Sequence, residues 1–212
     1  MTDLILKGLG QTLLMVGVAT LAGFLVGVPL GTALYGATKR ALFQNRVLYA
    51  LADFIINALR SIPYIILVIL LLPLTRLLVG TSLGTWAASV PLGVAAILLM
   101  ARLTQDALRQ LPDGLLHAAQ SMGATRRHMI TKVLLPEALP ALVSGATLVI
   151  INLIGFSAMA GAVGGGGLGD LAIRYGYQRY DVLVMVEIVA ILIVLVQLVQ
   201  SLGHFLTKRL EK

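Results

Sequence analysis

The 212-residue chain is 58% hydrophobic and only 12% charged, whereas soluble domains carry about 25% charged residues. A soluble fold of this size could not bury so much apolar surface, so the composition indicates a membrane protein. The net charge of +7 does not indicate a nucleic-acid partner, because the basic residues lie between long apolar runs. The absence of cysteine excludes disulfides and thiolate metal sites.

Five segments are apolar enough to cross a bilayer, whose hydrocarbon core needs about 20 residues of helix. Because backbone amides in lipid must be paired within their own segment, each segment is predicted to be a helix. The sequence therefore predicts an all-α integral membrane protein with five transmembrane helices in one domain over residues 1–212. The predicted spans cover residues 10–37, 47–72, 78–101, 138–160 and 182–203.

The lysines and arginines are divided unevenly between the two sides of the membrane. Eleven lie in one set of loops and four in the other, and Arg60 lies inside span 2. Because cytoplasmic loops carry the excess of basic residues, the N-terminus is predicted to lie outside and the C-terminus in the cytoplasm. The predicted cytoplasmic set is Lys39, Arg40, Arg46, Arg102, Arg109, Arg126, Arg127, Lys132, Lys208, Arg209 and Lys212.

The first span contains Gly23, Gly27 and Gly31, spaced four residues apart. On a helix these glycines share one face and allow another backbone to approach closely. The motif is typical of packing inside one subunit, and it is also compatible with packing against a second copy of the chain.

The second span contains Asp53, Asn57 and Arg60 along one helical stripe. Charged groups at membrane depth usually face protein or water, so this stripe could line a polar pathway. Alternatively, Asp53 and Arg60 could lie near the interface, with the arginine extended toward water. Pro63 removes a backbone donor, which frees the carbonyl of Leu59 and predicts a kink.

The end of the fourth span carries small residues around Met159, including Ser157. A flexible thioether surrounded by small side chains suits a gate, although a methionine on a membrane helix is more often ordinary packing. The glycine run that follows, residues 164–169, lacks the Lys-Ser/Thr pair of a phosphate loop. We expect it to form a flexible outer loop.

The polar segment between spans 3 and 4 is the most informative part of the chain. Asp113 is predicted to cap a helix that ends before Gly123, and Thr125 is predicted to cap a second helix that runs to Pro136. The segment from residue 112 to 136 is thus predicted to be a cytoplasmic helix–turn–helix. It could lie as an amphipathic hairpin on anionic headgroups, or it could dock into a cytoplasmic partner.

The same segment resembles the permease subunits of binding-protein-dependent ABC importers. That family carries Glu-Ala-Ala, three residues, Gly, nine residues, Ile, any residue and Leu-Pro. The spacing is fully kept here, although a histidine replaces the acid. The matching positions, which the resemblance implies as ATPase-coupling residues, are His117, Ala118, Ala119, Gly123, Val133, Leu135 and Pro136.

Nearly the whole chain is similar to the methionine-import members of that family, most clearly at residues 60–63, 79–82, 133–140 and 157–169. The resemblance implies a bacterial inner-membrane homodimer, two copies of a cytosolic ABC ATPase, an outer methionine-binding lipoprotein and a small amino-acid substrate. It also implies that Met159 lies near the dimer axis. The expected pathway residues are Asn57, Arg60, Ser157 and Met159. Because the five spans cross the bilayer, membrane lipid is also an expected partner.

Other functions remain open on the sequence. The substrate could be another small amino acid or a short peptide. An intramembrane enzyme would need a nucleophile and base or a ligand set, and the chain has no paired carboxylates and no His-Glu-x-x-His, so no catalytic residue, metal or cofactor is predicted. A secondary carrier would be expected to show two repeated halves, which five spans cannot form, and a passive channel would bring down no ATPase.

Overall fold

The structure is a computed structural model that describes residues 1–39, 42 and 45–210. Arg40 and Lys212, two of the residues predicted to be cytoplasmic, lie outside these described residues. The described chain is helical and contains no strand. In chain order the helices are α1 Thr2–Thr38, α2 Arg46–Ser61, α3 Tyr64–Leu70, α4 Leu72–Val79, α5 Thr85–Arg109, α6 Asp113–Ser121, α7 Arg126–His128, α8 Leu135–Glu137, α9 Leu139–Ala162, α10 Gly167–Leu171 and α11 Val182–Leu210.

Four helices of the described chain, α1, α5, α9 and α11, are long and apolar enough to cross a membrane. Together α2 and α3 also pass that test, but they are bent by 107° at the break between them. The described residues thus contain four candidate spans that are each one helix, and five if the bent pair counts as one. This agrees with the predicted all-helical membrane fold.

The break between α2 and α3 is caused by Pro63. Helix α2 ends at Ser61, and Pro63 takes φ −53° and ψ 136°, outside the helical region. The carbonyl of Leu59 accepts a hydrogen bond from the amide of Ile62 at 3.3 Å. The predicted kink is therefore confirmed, but it is a turn beyond a right angle rather than the mild bend of a continuous span.

The predicted boundaries of the third span are wrong, because α5 runs from Thr85 to Arg109 rather than over residues 78–101. The apolar residues before Thr85 belong to α4 and to the connection after it. Gly80 ends α4 in the left-handed conformation, with φ 80°, and Gly84 takes φ 94°. Hydropathy registers where a chain is apolar, whereas these glycines determine where its helices end.

Helix α5 lies at the centre of the fold. Within its most apolar stretch 67% of the residues are buried, against 11% in α11. The three glycines of α1 pack directly on it: added Cβ atoms would come within 3.1 Å of Ala96 Cβ from Gly23, and within 2.8 Å of Met100 Cβ from Gly27. The stripe therefore serves packing inside one subunit, the first of the two interpretations.

The glycine-rich loop after α9 is packed rather than open, contrary to the prediction of a flexible loop. Gly167 and Leu168 are buried, and their amides donate hydrogen bonds to side chains of α1, Gln11 Oε1 at 2.9 Å and Thr12 Oγ1 at 3.0 Å. Gly166 and Gly167 have positive φ values, 78° and 81°. Glycine is needed here for backbone conformation and close packing, a role that flexibility alone does not describe.

Candidate functional site

The segment between α5 and α9, residues 112–136, is hereafter called the inner segment. Its first helix, α6, covers Asp113–Ser121, and Gly123 follows with φ 74°. The Thr125 side chain accepts a hydrogen bond from the amide of His128 at 3.3 Å, so Thr125 caps the second helical stretch as predicted. That stretch is α-helical only at its two ends, because Met129–Leu134 between them forms a π-helix.

The prediction that Asp113 caps α6 is wrong. Pro112 occupies the N-cap position, and its side chain can accept no hydrogen bond from the helix. The Asp113 carboxylate instead accepts a hydrogen bond from Lys39 Nζ at 2.5 Å, which ties α6 to the end of α1. This hydrogen bond lowers the pKa of Asp113 and raises that of Lys39.

An apolar cluster attaches the inner segment to the rest of the fold. It contains buried residues from α1, α5, α9 and both halves of the segment, so the segment is part of a continuous core. Such packing resists independent movement of the segment. The buried members of the cluster are Tyr35, Leu42, Ala107, Leu108, Leu116, Ala119, Met129, Leu134, Ala138 and Leu142.

The seven residues predicted to couple to an ATPase do not share one environment. Four of them are exposed, Ala119 is buried at 7% exposure, and the side chains of Val133 and Leu135 are half-buried. The sequence did not single out Met122, although its side chain is 87% exposed beside Gly123. A methionine so exposed at a turn adapts readily to a partner surface. The four exposed residues of the predicted coupling set are His117, Ala118, Gly123 and Pro136.

The polar stripe of α2 is joined to α5 by an ion pair. Arg102 Nη1 lies 2.8 Å from Asp53 Oδ1, and the Asn57 side-chain amide donates to Asp53 Oδ2 at 3.0 Å. Arg109 reaches the same stripe through the hydroxyl of Tyr49, 2.8 Å away. Asp53 and Asn57 thus belong to an inter-helix network, and no sequence pattern marks Arg102 as the partner of Asp53.

Arg60, the last polar residue of the stripe, lies apart from this network. Its side chain is exposed and lines a pocket of about 130 Å³ at the break between α2 and α3. The pocket wall also includes Tyr64 and Phe156, whose rings stack with centroids 4.5 Å apart and an interplanar angle of 7°. The predicted grouping of Asn57 with Arg60 is therefore divided between two sites.

The two predicted pathway residues of α9 lie on opposite faces of that helix. Met159 is 48% exposed, whereas Ser157 is 2% exposed and its hydroxyl donates to the carbonyl of Ile154 at 2.7 Å. Ser157 is consequently satisfied inside the fold and cannot line an open pathway in this conformation. Met159 ends an exposed stripe along α9 that consists of Ser144, Leu148, Asn152, Gly155 and Met159.

Proteins of similar sequence identify the family. Residues 23–212 match the family described as binding-protein-dependent transport system inner membrane component. The chain belongs to this family. It is 49% identical over 210 residues to the "Probable D-methionine transport system permease protein MetI" of Vibrio cholerae, covering 99% of this chain and 93% of that protein. It is 46% identical over 158 residues to the D-methionine transport system permease protein MetI of Escherichia coli K12, covering 74% and 73%.

Two solved structures share the same fold. A structure described as an inward-facing conformation of the MetNI methionine ABC transporter has a TM-score of 0.97 and 44% identity, covering 100% of this chain and 98% of that one. A crystal structure of an amino acid ABC transporter has a TM-score of 0.80 at 20% identity, covering 98% and 94%. The second shows that the same fold occurs at low sequence identity. As a family member, the chain is a multi-pass inner-membrane transport subunit.

Proposed function

We propose that this chain is the permease subunit of an ATP-driven methionine importer and forms the translocation pathway as a homodimer. The observation that carries the proposal is the 49% identity to a D-methionine permease over 99% of the chain. The fold agreement with a methionine ABC transporter at a TM-score of 0.97 supports it. Its proposed partners are two copies of a cytosolic ABC ATPase and an outer methionine-binding lipoprotein, and the permease itself performs no bond chemistry.

The proposed orientation places the inner segment in the cytoplasm. The excess of Lys and Arg in the loops after α1 and α5, and at the end of α11, supports this assignment through the positive-inside rule. The N-terminus then lies outside and the C-terminus inside. In the same orientation the packed glycine loop lies on the outer side, where it can meet the binding protein.

The inner segment is the proposed coupling element. Its exposed residues, including His117 and Met122, form the surface offered to the ATPase, and its buried residues connect that surface to α1, α5 and α9. When ATP closes the ATPase dimer, the two inner segments are drawn together and the attached helices rock to open the outer side. Hydrolysis restores the inward-open state, so the transporter alternates between two states biased by ligands at both ends.

The proposed pathway lies along the exposed stripe of α9 that ends at Met159, with Arg60 at the bend between α2 and α3. The stripe supports this role because polar Asn152 and Ser144 are exposed on a membrane-spanning helix, where polar groups usually face protein or water rather than lipid. Met159 is the proposed gate between the two copies. The side-chain amide of Asn57 donates a hydrogen bond to Asp53, so Asn57 supports the wall of the pathway without contacting the substrate.

A single substitution at the turn tests the coupling role. Gly123 has φ 74°, which proline cannot adopt because its ring fixes φ near −65°. We expect Gly123→Pro to abolish methionine uptake while the purified complex still hydrolyses ATP. Gly114→Ala is the matched control, because Gly114 lies in the same segment without a positive φ and an added methyl meets nothing. Normal ATP-coupled uptake by Gly123→Pro would remove the inner segment from the mechanism.

A further inference from the structure

The second half of the inner segment exposes a face made of basic side chains. Met129 and Leu134 of this half are buried in the apolar cluster. Because the hydrogen bonds of a π-helix join residues five apart, the π-helix over Met129–Leu134 turns both of these side chains toward the core. The exposed residues on the other side, hereafter called the basic face, are Arg126, Arg127, His128 and Lys132.

The basic face has no counter-charge within the inner segment. None of its side chains forms an ion pair with a described residue. Asp113 at the start of the segment is paired with Lys39, and the sequence from Gly114 to Pro136 contains no aspartate or glutamate. The positive-inside rule accounts for arginine and lysine in a cytoplasmic loop, but acidic residues have little influence on it. Membrane orientation therefore does not explain why acids are missing here.

The first half of the segment also lacks an acid on its exposed side. The family motif begins with a glutamate at the position that His117 occupies, and the His117 side chain is exposed. A histidine is either neutral or positively charged, so this position carries no anion. Leu116 of the first half and Met129 of the second are buried in the same apolar cluster, so both halves direct their exposed sides away from it. The exposed surface thus offers cations to a partner.

A protein groove fits this surface better than a membrane does. A hairpin that lies on headgroups inserts its apolar side chains into the boundary of the acyl chains. Here those side chains are buried in the core of the chain itself, and among the described residues of the segment Met122 is the one large apolar side chain that is exposed. Methionine and arginine are both enriched in protein–protein interfaces. The combination of Met122 with Arg126 and Arg127 therefore favours a protein partner.

We infer that the basic face and His117 bind an acidic groove on the cytosolic ATPase, with Met122 as the apolar anchor at the turn between them. Arginine binds carboxylates through two parallel hydrogen bonds. Complementary charges steer association, and like charges brought together suppress wrong partners. The charge of the inner segment thus selects the ATPase that the chain accepts. The inference rests on the proposed function and adds to it the chemistry of the ATPase surface.

The test titrates the purified cognate ATPase onto the full-length chain in nanodiscs of phosphatidylcholine, a lipid without net charge. We expect Arg126→Glu combined with Arg127→Glu to weaken ATPase binding by at least about tenfold, the lower range for close charge pairs across an interface. Added salt should weaken binding by the unmodified chain, because it screens exposed charges, and the double variant should depend less on salt. Unchanged affinity of the double variant would overturn the inference.

Arg46→Glu is the matched control for the double variant. Arg46 is an exposed arginine at the start of α2, outside the inner segment, and it belongs to the same predicted cytoplasmic set. Its reversal should leave ATPase binding unchanged. The melting temperatures of all variants in detergent should match that of the unmodified chain, because the substituted side chains are exposed, so weaker binding then reports the interface rather than unfolding.

His117→Glu restores the acid of the family motif and distinguishes the two possible signs of the groove. In an acidic groove the new carboxylate is repelled, so ATPase binding should weaken, whereas His117→Gln, which adds no charge, should weaken it less. In a basic groove suited to the acid of the family, His117→Glu should bind the ATPase more tightly than the unmodified chain. That result would overturn the inference.

The remaining outcomes separate this inference from a lipid contact and from the proposed function. Unchanged ATPase binding by the arginine double variant, together with loss of co-purifying anionic phospholipid, would assign the basic face to lipid and overturn the inference. If the unmodified chain and the double variant support equal ATP-driven methionine uptake with equal ATPase affinity, the inference fails and the proposed function stands. If the unmodified chain binds no ATPase, the proposed function fails and the inference fails with it.

Discussion

Close contact between α1 and α5 depends on residues that have no side chain. A Cβ at Gly31 would collide with the carbonyl oxygen of Ala101, and it would lie 2.7 Å from Thr104 Cβ. The carbonyl belongs to the backbone of α5 and cannot rotate away. The spacing of the three glycines predicts this packing, because the helical period alone brings them to one face.

We expect Gly31→Ala to destabilise the protein by about 1–3 kcal/mol, the usual cost of overpacking. Gly17→Ala is the matched control, because Gly17 lies on the same helix and an added methyl meets nothing within 4 Å. Alanine also favours a helix over glycine by about 1 kcal/mol, so the control should be neutral or stabilising. Thermal unfolding in detergent measures both, and equal melting temperatures would contradict the packing account.

The ion pair of Asp53 and Arg102 could not be read from the sequence. Periodicity shows which residues share a face of one helix, but it does not show which residue of another helix lies opposite. These two residues are 49 positions apart, and their side chains are only 27% and 25% exposed. Removing one partner leaves the other charge in a site with little water.

A double-mutant cycle on this pair should give a coupling energy of about 1–3 kcal/mol, the upper range for residues in one network. Asp53→Asn and Arg102→Gln should each destabilise the protein, and the double variant should be more stable than the sum predicts. Asp106→Asn is the control, since Asp106 is 44% exposed and 3.6 Å from Arg102 and should cost less than about 1 kcal/mol. Free energies of unfolding in detergent measure all four variants, and additive effects of the pair would contradict a direct interaction.

At the level of elements, the inner segment shows which features local sequence determines. Gly123 and Thr125 predict the turn and the second cap because both act through the residues beside them. Asp113 behaves differently, because its partner Lys39 lies 74 positions away in the sequence. The Asp113 carboxylate accepts a hydrogen bond from Lys39 and makes none to the first amides of α6. The π-helix over Met129–Leu134 also has no recognisable signal in the sequence. Local chemistry thus predicts the turn, and tertiary contacts determine how the segment is attached.

The Lys39–Asp113 pair makes the attachment of α6 depend on pH. The pKa of Asp113 is lowered in the fold. The stabilisation by the Lys39–Asp113 pair is therefore complete at pH values above the ordinary aspartate pKa of about 3.9. It is lost as the pH falls through the lowered value. Because the pKa of Lys39 is raised, the contribution is lost at the alkaline end only above the ordinary lysine value of about 10.4.

Hydrogen–deuterium exchange of the α6 amides measures this dependence. Comparison with Asp113→Asn at each pH cancels the intrinsic exchange rate. We expect the α6 amides of the two proteins to exchange at different rates between these pH limits. The rates should converge as the pH falls below the lowered pKa of Asp113. A difference that persists unchanged in strong acid would show that the carboxylate does not attach α6 through Lys39.

At the scale of the whole molecule, hydropathy predicts the membrane fold well and the helix ends poorly. It locates the apolar stretches, but glycines and Pro63 decide where α4 and α5 are separated and where α2 turns into α3. The candidate pathway was only partly predictable for the same reason. Met159 and Arg60 are exposed, whereas Ser157 is buried and the pocket of Tyr64 and Phe156 forms only when four helices meet.

In the transporter that we propose, a packed inner segment carries movement from an ATPase to the spans. Radiolabelled methionine uptake into proteoliposomes that contain the chain, its cognate ATPase and its binding protein tests this most directly. With ATP supplied on the ATPase side, we expect methionine to accumulate against its gradient, and with a non-hydrolysable analogue we expect no accumulation. Equal uptake in the two conditions, or uptake that proceeds without the ATPase, would contradict the account.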